Sequence, residues 1–235
     1  MASVRSAFDP SSLPDVGGLT VGILGGTGDQ GRGLAYRFAR AGQRVVIGSR
    51  TAERGAQAAA DLAALPGVRG EVTGGENAWA VAQSDVVIVA VPWEGHGALL
   101  SALAAPLAGK VVVDCVNPLG FDKQGPYALP VPEGSAAQQA AALLPESRVC
   151  AAFHHVSAPL LADPEVEQVH LDVLVLGEDR EAVGVVQALA NRIDGMRGVY
   201  GGRLRNAHQV EAFTANLIAI NRRYKAHAGL RITDL

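Results

Sequence analysis

The chain has 235 residues, 49% of them hydrophobic and 18% charged, with 20 basic against 23 acidic side chains and a net charge of −3. Such a chain can bury a large core and is not a disordered one. Its charge balance argues against nucleic acid or an anionic membrane as partner.

Residues 1–17 lack an apolar signal core and are expected to form a flexible tail on a cytoplasmic protein. From there, apolar runs alternate with helical patterns. Strands are expected at 20–24, 44–48, 85–91, 110–114, 148–152 and 171–176, and helices at 29–41, 51–64, 76–82, 95–105, 135–144, 179–193 and 205–228. Most of the strand runs are unbroken Val/Ile stretches, as in parallel strands covered on both faces. The alternation implies an α/β fold with a doubly wound, Rossmann-type parallel sheet. We expect a dinucleotide-binding domain over 18–152 and a small C-terminal α/β extension over 153–235. The segments "TGGE" (73–76) and 117–135 read as loops, the second rich in Pro and Gly. Ser135 reads as the N-cap of the helix that follows. No apolar run approaches the roughly 18 residues needed to span a bilayer. Cys115 and Cys150 lie in apolar runs and read as buried reduced thiols.

The first chemical signal is "ILGGTGDQGRG" (23–33), in which Gly26, Gly28 and Gly31 follow a strand and open a helix. Gly26 would permit the turn, Gly28 the approach of a pyrophosphate, and Gly31 close helix packing, with Thr27, Asp29 and Gln30 on the rim. One helix later, "VVIGSRT" (45–51) places Arg50 where NAD-binding chains carry an acid. An arginine flanked by hydroxyls suits a 2′-phosphate, so Ser49, Arg50, Thr51 and Arg54 select NADP.

The run at 85–91 ends in "VAVPWEGH", so Val91, Pro92 and Trp93 should border the crevice beyond the strand ends, with Asn117 reaching it from the next strand. His154 follows another strand end. Lysine occurs only at 110, 123 and 225, and no arrangement supplies a strong general base or a metal site. Hydride passing directly between two bound rings would need none. Two other readings fit these residues: an NADPH-dependent reductase of a small imine or carbonyl substrate, and a non-enzymatic NADP-binding sensor. The apolar face of the last helix (Val210, Phe213, Leu217, Ile220) could cover a sheet, or a partner subunit in a homodimer.

Together, "TVGILGGTGDQGRGLAYRFARAGQRVVIGSR", "VVIVAVPWEGH", "VVVDCVNP", "GSAAQQAAALLP" and "AAFHHVSA" resemble the NADPH-dependent F420 reductases, or F420H2:NADP oxidoreductases, from about residue 20 onward. The related cytoplasmic domain of the STEAP metalloreductases shares the architecture. The resemblance implies reversible hydride transfer between NADP(H) and the deazaflavin coenzyme F420, with no covalent intermediate. It implies that the C-terminal segment closes the F420 pocket. It also implies F420 contacts from His154, Val156, Ser157, Ala158, Asn206 and Thr214. His208 and Ala212 stand where the family pattern has a more basic residue and a hydroxyl.

Overall fold

The computed structural model describes residues 12–235. Residues 1–11 of the expected tail lie outside the described residues. Within 12–17, Val16 is buried, and its carbonyl accepts from Gln43 Nε2 at 2.8 Å.

The Val/Ile runs form the centre of an eight-stranded sheet: β1 (Thr20–Leu24), β2 (Arg44–Ser49), β4 (Val86–Val89), β5 (Val111–Asp114) and β8 (Arg148–Ala151). Alternate residues of one run enter opposite cores. Val86 and Ile88 join one hydrophobic cluster and Val87 and Val89 the other, so an unbroken apolar run is what each strand needs. On one face pack α1 (Asp29–Arg40), α2 (Ala52–Ala63) and α8 (Arg180–Asn191), whose Leu34, Leu62 and Leu189 enter the first cluster. On the other face lie α4 (Trp93–Ala102), α5 (Ala104–Leu107), α6 (Ala136–Leu143) and α9 (Ala207–Tyr224), with Leu100, Leu107, Ala140 and Val210 in the second cluster. Ser135 caps α6, its Oγ accepting from Gln138 N at 3.0 Å.

The remaining elements correct the sequence reading. The "TGGE" stretch is edge strand β3 (Val72–Glu76), paired in parallel with β2 and followed by α3 (Asn77–Ala82). It carries little apolar signal because it packs by backbone approach: a Cβ on Gly55 of α2 would overlap the backbone of Gly75. The 117–135 loop contains a hairpin, β6 (Leu119–Asp122) and β7 (Gly125–Ala128), turned by Asp122 Oδ1 accepting from Gln124 N at 2.7 Å and Gly125 N at 3.2 Å.

The sheet order is β10-β9-β8-β5-β4-β1-β2-β3, where β9 is Leu171–Gly177 and β10 is Met196–Gly202. β9 runs antiparallel to β8, so the last two strands oppose the rest. Between β8 and β9 the only helix is the five-residue α7 (Ala158–Ala162). The chain therefore re-enters the sheet from the end it left, without a crossover. Arg37 of α1 fixes this connection by donating to the carbonyls of Leu160, Leu161, Asp163 and Val166.

Candidate functional site

Two cavities open beyond the carboxyl ends of the parallel strands, and they share Ala90, Val91 and Pro92 after β4. This is the switch point, where β1 neighbours both β2 and β4.

The first cavity, about 510 Å³, lies over the glycine loop. Gly25 holds the turn, at φ +80° and with a would-be Cβ overlapping Ala90 O. The sequence reading had given this task to Gly26, which instead lies against Ile47. Gly28 is open toward the cavity. A Cβ on Gly31 would come within 2.5 Å of Gly25 O, so this position keeps helix and loop close. The N-cap of α1 makes no side-chain hydrogen bond, which leaves its first amides and the positive helix end to an anion. Thr27, Ser49, Arg50 and Arg54 line the same cavity. Thr51 lies just outside the lining as the N-cap of α2, accepting from Arg54 N at 3.4 Å. Gly26, Asp29 and Gly31 line neither cavity.

Asn77, missed from the sequence, also lines this cavity. Its Oδ1 is buried without a hydrogen-bond partner. Gly48 leaves room for it, since a Cβ there would lie 2.9 Å from that oxygen. The residue opens α3, and the strand before it was unreadable, so its placement was invisible. Exposed arginines and free helix amides fit a phosphorylated dinucleotide.

The second cavity, about 620 Å³, is lined by Val91, Pro92, Trp93, Asn117, His154, Val156, Ser157, Ala158 and Thr214, all anticipated, with Gln30 among them. Gln30 was expected beside the phosphates, but its Nε2 donates to Phe153 O at 3.3 Å. Phe153 adopts φ +64°, unusual for a non-glycine residue, between β8 and His154. Asn117, Thr214 and the His154 backbone form one knot. Asn117 Nδ2 donates to His154 O at 3.2 Å, and Thr214 Oγ1 lies 3.2 Å from Asn117 Oδ1 and 3.3 Å from His154 O. Asn206 is exposed and lines neither cavity. Its eight-residue separation from Thr214 spans about 12 Å of helix rise.

His154 is 5% exposed and neither ring nitrogen has a hydrogen-bond partner. Burial pushes its pKa down to about 4, against a weaker upward pull from Asp114. The ring is therefore neutral at physiological pH. The adjacent His155 also lines the cavity, but its Nε2 is engaged, donating to Val210 O at 2.7 Å. The residues after α9 complete the wall, with His227 Nδ1 3.0 Å from Ser157 Oγ. Cys115 also lines this cavity, but burial pushes its thiol pKa up, so it is no nucleophile.

Behind this wall lies a polar cluster that the sequence reading did not single out. His96 of α4 is fully buried, with Nε2 2.6 Å from Asp114 Oδ2 and Nδ1 2.9 Å from Gln139 Oε1. Burial opposes its charging, but Asp114 and Gln139 outweigh that and raise its pKa. Glu211 of α9 accepts from Ala136 N at 2.9 Å and Ala137 N at 3.1 Å, tying α9 to the start of α6. Its burial pushes its pKa up to about 7. The acid ending "VVVD" was the available signal for this cluster.

A Rossmann-type sheet with a cavity over its glycine loop that adjoins a second, mostly apolar one is the framework of a nicotinamide-dependent oxidoreductase. Residues 20–118 match the family model described as NADP oxidoreductase, coenzyme F420-dependent. The chain is 39% identical over 224 residues to the F420-dependent NADP reductase of Methanothermobacter thermautotrophicus, covering 92% of this chain and 96% of that protein. It is 40% identical to the enzyme of the same name from Methanocaldococcus jannaschii, covering 92% and 99%. A crystal structure of a candidate F420-dependent NADP reductase from Arthrobacter sp. FB24 superposes with a TM-score of 0.76 at 27% identity, covering 92% of this chain and all of that one. The chain belongs to the F420-dependent NADP reductase family.

Proposed function

We propose that this protein transfers hydride reversibly between NADP(H) and coenzyme F420. The observation that carries this reading is the junction of the two cavities at Ala90, Val91 and Pro92, which would bring a ring from each side face to face. When both cofactors are bound, hydride moves directly between the nicotinamide and deazaflavin rings, so the protein's task is orientation.

The residues divide accordingly. Thr27, Gly28 and the α1 amides hold the pyrophosphate, while Arg50, Arg54 and Ser49 hold the 2′-phosphate. Asn77 borders the nucleotide. Val91, Pro92 and Trp93 border the nicotinamide. His154, Val156, Ser157, Ala158 and the Asn117–Thr214 pair form the deazaflavin side, which residues 153–235 complete. The apolar lining of this cavity excludes water from the transfer.

We further infer a cytoplasmic homodimer. The two free thiols suit a reducing compartment. Phe213 and Ile220 leave partly exposed apolar surface on α9 for a second copy.

Mixing the purified protein with NADPH and oxidised F420 tests the reading through loss of the deazaflavin's visible absorbance, with NADH and FMN as controls. Rapid bleaching with NADPH and little with NADH or FMN is expected. NADPH binding without bleaching would defeat the F420 assignment and leave that of NADP.

A further inference from the structure

The His96 cluster has no role in the binding assignments above. His96 and Asp114 line neither cavity, yet both are 0% exposed directly behind the shared wall. The hydrogen-bond pattern bears on the charge of the ring. Asp114 Oδ2, at 2.6 Å from Nε2, can only accept when ionised. Gln139 Nε2 donates to Glu133 Oε2 at 3.3 Å, which leaves its Oε1 facing His96 Nδ1 at 2.9 Å. Both ring nitrogens meet acceptors, so both carry hydrogen. That arrangement suits an imidazolium, and the ring is faced by the carboxylate of Asp114 from β5, by Gln139 of α6 with Glu133 behind it, and by Glu211 from α9.

That cation lies against Trp93, three residues earlier on α4, with ring centroids 5.5 Å apart and planes tilted by 31°. This is within the roughly 6 Å reach of a cation–π contact, which is stronger when desolvated. Trp93 lines the second cavity and follows Pro92, where the two cavities join. Asp114 adds a second link, since its Oδ1 accepts from Val116 N at 3.0 Å and so sets the turn leading to Asn117. One buried pair thus holds both walls of the ring junction.

We propose that His96, held as an imidazolium between Asp114 and Gln139, is a positioning residue that fixes the Trp93 indole, and with it the wall against which the two redox rings meet. The spacing of Trp93 and His96 puts them on one face of the first turn of α4, and the acid at the end of β5 supplies the counter-charge that keeps a buried cation tolerable.

Two measurements test this. The first needs no substitution: nitrogen-15 NMR of the intact chain with labelled histidine. The His96 ring should keep both nitrogens protonated above pH 6.5, where an ordinary histidine is mostly neutral. A neutral His96 ring there overturns the proposal. The second uses His96→Gln in a Trp79→Phe background, which leaves Trp93 as the remaining one of two tryptophans. Removing the adjacent cation should raise Trp93 emission roughly twofold. Loss of ring alignment should lower kcat for F420 reduction roughly tenfold, with NADPH Kd changed by less than about twofold. Unchanged emission and kcat would overturn the proposal. So would a loss of NADPH affinity matching the loss in kcat. The kinetic arm rests on the hydride-transfer reading. A wild-type protein that binds NADPH but leaves F420 oxidised would defeat that reading, and the NMR and emission arms would still decide this one.

Discussion

Arg50 and Arg54 are exposed side chains at the rim of the first cavity, so their removal costs the fold little and the ligand much. Arg50→Ala should raise the NADPH Kd roughly 10- to 100-fold, the range expected for losing charge-assisted hydrogen bonds of about 1.5–3 kcal/mol. NADH binding should hardly change, and equilibrium titration of both nucleotides checks the difference. Equal losses would remove the basis for 2′-phosphate recognition. His154 acts through burial. Its folded pKa of about 4 lies below the ordinary 6.5, so the unfolded chain binds more protons between these values. Its contribution to stability is present above pH 6.5 and is lost as pH falls through about 4. Denaturant unfolding of the wild type and His154→Gln should therefore diverge across that window, with the variant losing less stability on acidification.

At the scale of elements, the least legible parts are those built from backbone. β3 has no apolar run because Gly55 and Gly75 let α2 and the strand touch directly. Gly55→Val would drive a branched side chain into that backbone, and we expect a loss of more than about 3 kcal/mol in denaturant unfolding. α9 is legible as a helix, but its anchor is not. Glu211, held near pKa 7 against an ordinary 4.5, contributes stability that is full below pH 4.5 and lost as pH rises through about 7. Glu211→Gln removes the titrating group, so its stability should vary less with pH than the wild type's between pH 4.5 and 7. Identical slopes would mean that Glu211 does not titrate there.

For the molecule as a whole, the C-terminal elements do two jobs. β9 and β10 extend the nucleotide-binding sheet, while α9 and the residues after it wall the second cavity. The final segment is held against β9 by Asp172, which is paired with Arg197 at 2.7 Å and accepts from Ile232 N at 2.6 Å. Ile220 of α9, outside the cavity lining and 38% exposed, is where a second copy would be disrupted. Sedimentation of the wild type should give twice the chain mass, and Ile220→Glu should give the monomer, because burying an unpaired charge at an interface is costly. A monomeric wild type would refute the dimer.

The sequence by itself determined the features that short-range chemistry writes into neighbouring residues. The unbroken Val/Ile runs require a sheet covered on both faces, the glycine loop opens α1 beside the first cavity, and Arg50 stands where NAD-binding chains carry an acid. It also foretold Ser135 as a cap and nine residues of the second cavity's wall. Tertiary structure alone decided which distant groups share a space. The reversal at β9, the orphaned oxygen of Asn77, and the pairing of His96 with Asp114 depend on contacts between residues far apart in the chain. No local pattern carries them, because a buried polar atom is defined by what surrounds it.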